Sequence, residues 1–154
     1  MLFWTITLAV LALDRAVKYV VTANMQVGQS IPIIETFFHI TFVKNPGAAF
    51  GILTDKRWFF VVVTIAILAL LFYLAFTMGK NSKFTAVCLA LICGGAIGNF
   101  IDRVASGLVT DYLDFRGIWP YIFNLADSAI VVGVILLAWQ LIRDELKQEK
   151  PSEK

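Results

Sequence analysis

Charge is scarce in this chain. Asp, Glu, Lys and Arg make up 16% of its 154 residues, where a soluble domain carries roughly 25%. Hydrophobic residues make up 59% and aromatic residues 14%. That balance excludes an ordinary soluble domain and reads as an integral membrane protein. A net charge of +2 gives no electrostatic argument for nucleic acid, and no nucleic-acid partner is expected. His39 is the sole histidine. With no second imidazole and no acidic cluster at ligand spacing, no metal is expected, and His39 reads as a surface strand residue. The two cysteines, Cys88 and Cys93, fall in one apolar run. Five residues apart on a helix they point to different faces, so they read as packing residues and not as a disulfide. The segments expected outside the membrane contain no cysteine, so neither redox compartment is favoured. No internal repeat is visible, and the length suits one domain with a few spans.

Long apolar runs are what the chain has instead. Trp58 to Met78 is uncharged over 21 residues, which matches the roughly 20 needed to cross hydrocarbon as a helix. Phe84 to Ile101 is uncharged over 18. It carries Gly94 and Gly98 on one face with Gly95 beside them, which leaves room for a neighbouring helix or an acyl chain. Leu2 to Val21 makes a first span despite Asp14, Arg15 and Lys18. It lacks a basic stretch ahead of the apolar run and a small-residue cleavage pattern, so it is expected to be retained. Leu125 to Ile142 makes the last span, with Asp127 in its first turn. The expected fold is an all-α membrane protein, residues 1–154 forming one four-transmembrane-helix bundle. A small extracytoplasmic β-sheet or loop subdomain lies between helices 1 and 2, at about residues 24–56, and residues 143–154 form a polar tail.

Four spans put both termini on one side. Lys80, Lys83 and the lysines of the tail make that side cytoplasmic by the positive-inside rule, against Lys44, Lys56, Arg57 and Arg116 opposite. Between the first two spans, IETFFHITFV alternates. Ile34, Phe38, Ile40 and Phe42 share one face, and Glu35, His39 and Thr41 share the other, with Pro32, Pro46, Gly47 and Gly51 as turns.

Ionisable residues in or beside a span are expensive and need a partner or a purpose. Asp14 and Lys18, four apart, can pair along one helix face. Asp102 and Arg103 close the third span and, being adjacent, reach in different directions. Asp111 and Asp127 lie near the outer boundary on opposite arms of the connection from Arg103 to Asn124, and so can meet. Two carboxyls sharing a half-buried site hold one proton between them, which supplies a general acid and a general base at one pH. Alternatively the acids cap helix starts or pair with Arg103 and Arg116. Asp114, three residues after Asp111, reads as a spectator.

Five blocks, LDRAVK, KNPGAAFG, GGAIGNFIDRV, VTDYLDF and FNLADSA, occur in order over essentially the whole chain, and together they resemble the lipoprotein signal peptidase (signal peptidase II) family. The resemblance implies that Asp111 and Asp127 are catalytic aspartates of a membrane aspartic endopeptidase. Asn45 matches a substrate-pocket position. Asn99, Asp102, Arg103, Asn124 and Asp14 match polar positions that orient substrate or support the dyad. It departs at Val17, where the family usually has a hydroxyl residue. The implied reaction is cleavage just before the lipidated cysteine of a diacylglyceryl-modified prolipoprotein, at the outer face of the bacterial cytoplasmic membrane, without a cofactor. The partners are then that substrate and membrane lipids, with a monomer expected and Phe50 helping Asn45 to cradle the site. The alternatives are a small proton-coupled transporter or channel, whose acids belong near mid-membrane, and a noncatalytic scaffold.

Overall fold

The computed structural model describes residues 1–47 and 56–148. These form four long helices, α1 (Leu2–Asn24), α2 (Arg57–Thr77), α3 (Lys83–Ser106) and α4 (Leu125–Gln148), and three strands, β1 (Ser30–Ile34), β2 (Phe38–Asn45) and β3 (Val109–Phe115). Three of the helices, α2, α3 and α4, are long and apolar enough to cross a membrane. The fourth, α1, is as long at 23 residues but carries Asp14, Arg15 and Lys18 in its middle.

α3 is the inner helix. Along its apolar stretch 67% of residues are buried, against 11% in α2 and 17% in α4. Ser82 starts it, the hydroxyl accepting the Thr85 N–H at 3.1 Å, which satisfies one of the donors a helix start leaves open. Gly107 ends it at φ +78°, its N–H bonded to Arg103 O. Only glycine takes that left-handed turn without strain, and the chain leaves it directly into β3.

The glycine face is filled by helices. A Cβ on Gly94 would meet Val10 Cβ at 2.8 Å on α1, and one on Gly95 would collide with the Ala126 carbonyl on α4. Of the two readings left open for this face, helix packing therefore holds, and no acyl chain fits there. Cys88 and Cys93 are buried free thiols, Cys93 packing with Leu71, Leu89 and Ile92.

The sheet is antiparallel in the order β1-β2-β3. Its outer strand β3 comes from the connection between α3 and α4, so the sheet is not confined to the segment between helices 1 and 2. VTDYLDF was legible as a motif but not as a strand, because its two aspartates mask the alternation. A bulge lies between Ile40 and Val43: Ile40 faces Leu113 and Val43 faces Asp111, leaving Thr41 and Phe42 opposite Tyr112 alone. The strict alternation expected through Phe42 breaks there. Phe42 packs with Tyr112 and Val21. Beyond the bulge, Val43 and Asn45 lie on the face of Asp111 and Val109.

His39 is buried, correcting its assignment to the surface. Its ring bonds Glu35 O at 2.8 Å and Ser30 Oγ at 3.3 Å. Asp114 works within the sheet. It accepts Thr41 Oγ1–H at 2.7 Å and pairs with Arg116 at 3.1 Å, while Arg116 also donates to Ser30. These bonds tie all three strands, and they take Arg116 away from Asp111 and Asp127. Residues 149–154 of the tail lie outside the described residues.

The contact at Gly95 gives a direct test. Gly95→Val should destabilise the protein by on the order of 2 kcal/mol or more through overpacking, read as a lower thermal unfolding midpoint in detergent. An unchanged midpoint would mean that α3 and α4 do not approach this closely.

Candidate active site

The site begins with a buried charge cluster. Lys18 and Asp14 are 1% and 0% exposed, with Nζ 3.0 Å from Asp14 Oδ2. The expected pairing along α1 is therefore present, but Lys18 also reaches α3, 2.9 Å from Asp102 Oδ2 and 3.0 Å from Asn99 Oδ1. Two carboxylates pair with the ammonium and one amide oxygen accepts its hydrogen bond. Asp102 further takes Arg15 at 2.5 Å and the Thr110 N–H at 3.2 Å. Asp14 Oδ1 accepts the Ala126 N–H at 3.3 Å. The α1 charges thus fix α3, β3 and the start of α4 together.

Lys18 also decides how Asn99 is turned. An ammonium can only donate, so the amide oxygen of Asn99 must face it and the amide nitrogen must face away. That nitrogen donates to Asp127 Oδ1 at 2.6 Å.

Asn124 stands at the N-terminus of α4. Its Oδ1 accepts the Asp127 N–H at 2.9 Å, and Asp127 Oδ2 accepts the Asn124 N–H at 3.2 Å. This reciprocal arrangement closes two open helix donors, so the reading of Asp127 as a helix cap is correct as far as it goes. The Asn124 side-chain nitrogen then donates outward, to Asp111 Oδ1 at 2.7 Å and Asn99 Oδ1 at 3.1 Å. The chain is brought back by the Leu113–Phe123 bridge. Asp111 and Asp127 are in this way joined through one asparagine.

Asn45 holds the other side of Asp111, donating to Oδ2 at 2.9 Å. Its own oxygen takes the Gly47 N–H at 3.0 Å, which fixes that amide as well. Arg103 parts from its neighbour Asp102, as expected. It lies over the Phe60 ring at 5.0 Å, donates to Gly47 O at 3.3 Å and adds a positive charge near both aspartates. Asp111, Asp127, Asn45 and Arg103 line one cavity of about 930 Å³, whose other walls include Phe115, Trp119 and Ile130. A large apolar cavity with a few convergent polar groups is the usual form of a ligand site.

Asp111 is 3% exposed. Burial above all, and next the charge of Asp127, pushes it from 3.8 up to about 6, against donors from Asn45 and Asn124. Burial also pushes Tyr112 up to about 12; its hydroxyl accepts the Leu125 N–H at 3.1 Å.

Six of the residues singled out in the sequence, Asn45, Asn99, Arg103, Asp111, Asn124 and Asp127, meet at this site. Asp14 and Asp102 stand behind it and reach it through Lys18. What sequence reasoning missed is Lys18 as a hub. The i,i+4 spacing showed its bond to Asp14, but nothing local signals Asn99 or Asp102. Phe50 lies outside the described residues.

A family model described as signal peptidase (SPase) II matches residues 6–143. A lipoprotein signal peptidase of Desulfitobacterium hafniense (strain DSM 10664 / DCB-2) is 45% identical over 150 residues, covering 97% of this chain and 99% of the relative. One of Moorella thermoacetica is 47% identical, covering 91% and 92%, and one of Bacillus subtilis 42%, covering 97% and 99%. A solved structure described as a bacterial membrane enzyme at 2.3 Å superposes with TM-score 0.91 at 37% identity, covering 99% of this chain and 94% of that one. A second, at 1.9 Å, superposes with TM-score 0.85 at 40% identity, covering 92% and 93%.

The raised Asp111 has a signed consequence for stability. The folded state holds this proton more tightly than the unfolded chain, so the contribution of Asp111 is full below 3.8 and is lost as pH rises through about 6. Asp111→Asn removes that loss. The unfolding midpoint of the variant minus that of the parent should therefore increase from about pH 4 to about pH 7. A difference that stays flat in detergent melts would contradict the burial argument.

Proposed function

The chain belongs to the signal peptidase II family, a membrane peptidase family of aspartic type acting on lipoprotein precursors, and on that premise we propose that Asp111 and Asp127 are its catalytic pair. The bond cleaved is the one just before the lipid-modified cysteine of a prolipoprotein. The observation that carries this reading is Asn124, which donates to Asp111 and caps against Asp127 while both carboxyls line the same apolar cavity.

In this scheme Asp111, pushed up to about 6, holds the proton. Asp127, in the first turn of α4 and bonded to the backbone N–H of Asn124, sits at the positive end of a helix and is the ionised partner. Asp127 takes a proton from water as its oxygen attacks the scissile carbonyl carbon, and Asp111 gives its proton to the carbonyl oxygen. When the tetrahedral diol collapses, the C–N bond breaks. The leaving nitrogen takes the proton from Asp127, and Asp111 recovers its own from the diol. Asn45 and Arg103 orient the peptide, while Asn99, Asn124, Asp102 and Asp14 hold the pair in place. The apolar walls receive the lipid-linked part of the substrate. No cofactor takes part.

The proposed setting is the bacterial cytoplasmic membrane, with α1 as a fourth span and the carboxylates at the extracytoplasmic boundary. Both termini are then cytoplasmic, and the enzyme acts as a monomer. Membership of a peptidase family leaves the transporter alternative without support.

Asp111→Asn and Asp127→Asn, made singly, should each lower cleavage of a lipidated prolipoprotein by about 10³-fold or more, as the loss of one of two cooperating groups does. Substantial activity in either variant with an intact fold would sink the pairing. For topology, Asn81→Cys should be protected from an impermeant thiol reagent in intact cells and react after permeabilisation. Ready labelling from outside would invert the orientation.

A further inference from the structure

A second cavity, of about 270 Å³, lies at the other end of the bundle. The start of α1, the end of α2 and the start of α3 enclose it, with Phe3, Trp4 and Phe76 on its apolar side and Lys80 and Lys83 on its polar side. Trp4 stacks on Phe72 with ring centroids 5.6 Å apart, and Phe3 meets the same ring edge-on at 6.3 Å. The apolar wall is thus braced.

The polar side is cationic, and the described acids nearest this end are Asp144, held by Arg143 and Gln140, and Glu145 on α4. Among the described residues neither lysine has an ion-pair partner, and residues 1–13 and 56–101 contain no Asp or Glu. From Lys83 to Asp102 is a rise of roughly 30 Å along α3, about the thickness of bilayer hydrocarbon. The cavity therefore opens at the membrane boundary opposite the carboxylates, where an indole and lysine heads are at home.

We propose that this cavity binds the headgroup phosphate of an anionic phospholipid, with Lys80 and Lys83 on the phosphate and the Phe3, Trp4 and Phe76 wall against the first part of an acyl chain. The amphiphilic lining selects the ligand. Two ammonium groups without an ion-pair partner among the described residues favour an anion, and the adjoining aromatic wall favours one that carries a hydrocarbon tail over free phosphate. Both lysines are exposed and far from the carboxylates, so their replacement should leave folding and peptidase activity intact.

The test uses the full chain in detergent, with bound lipid counted by native mass spectrometry and binding measured by thermal shift against phosphatidylglycerol, phosphatidylcholine and inorganic phosphate. One phosphatidylglycerol should be retained in preference to phosphatidylcholine. Lys80→Gln with Lys83→Gln should weaken that retention by ~10-fold or more, as expected for two lysines lost at a lipid surface. Lys147→Gln, which removes a lysine outside the cavity, should leave it unchanged. Equal retention of the two lipids, full retention by the double variant, or stabilisation by inorganic phosphate alone would each overturn the assignment.

Discussion

An ammonium group placed among apolar helices is tolerable only when its charge is paired, and the arrangement around Lys18 follows from that constraint. Asp14 and Asp102 pair with the ammonium and Asn99 accepts its hydrogen bond, all within 3.0 Å. Taking one partner from a buried pair costs about 3–5 kcal/mol, because a charge is left without compensation. α1 and α3 are therefore held in one relative position, with Gly94 and Gly98 allowing the close approach. Of the charges that make α1 look unfit for a membrane, Asp14 and Lys18 are paired inside the bundle and Arg15 is paired with Asp102 at its edge. The same constraint turns the Asn99 amide toward Asp127, so a packing requirement on α1 sets the donor pattern at a carboxylate on α4.

The start of α4 combines two roles in four residues. The open N–H groups of a helix end need acceptors, and Asn124 and Asp127 satisfy each other's. Because the cap uses one oxygen of each side chain, the Asn124 nitrogen and the second Asp127 oxygen remain to face Asp111 and Asn99. A site built on a helix end inherits rigid geometry and a positive dipole without further residues. The opposite wall depends on the β2 bulge, which turns Asn45 onto the Asp111 face. The far end of the sheet keeps its charges occupied with one another, since Arg116 is engaged by Asp114 and Ser30.

Features of short range were legible from the residues. The apolar runs of α2, α3 and α4, the Asp14–Lys18 spacing and the strands around His39 all depend on neighbours a few positions apart. The motif blocks named the carboxylates. Other features were not legible, and each has a physical cause. β3 was hidden because Asp111 and Asp114 point to opposite faces, each bonded by a partner far along the chain. His39 and Thr41 looked like a solvated face because their polar partners, Ser30 and Asp114, lie on other strands. The bulge at Thr41 and Phe42 leaves no mark in composition.

The amino-acid order alone determined that this chain is apolar enough for a membrane, where its helices run, and which acids would be too costly to keep without a use. Those are properties of single residues and of period along one element. Tertiary structure decided which of those acids meet, which amide nitrogen faces which carboxylate, and which glycine faces which helix. Burial and pairing depend on residues 13 to 112 positions apart. Only the folded chain brings such residues within the few ångströms over which a hydrogen bond or an ion pair acts.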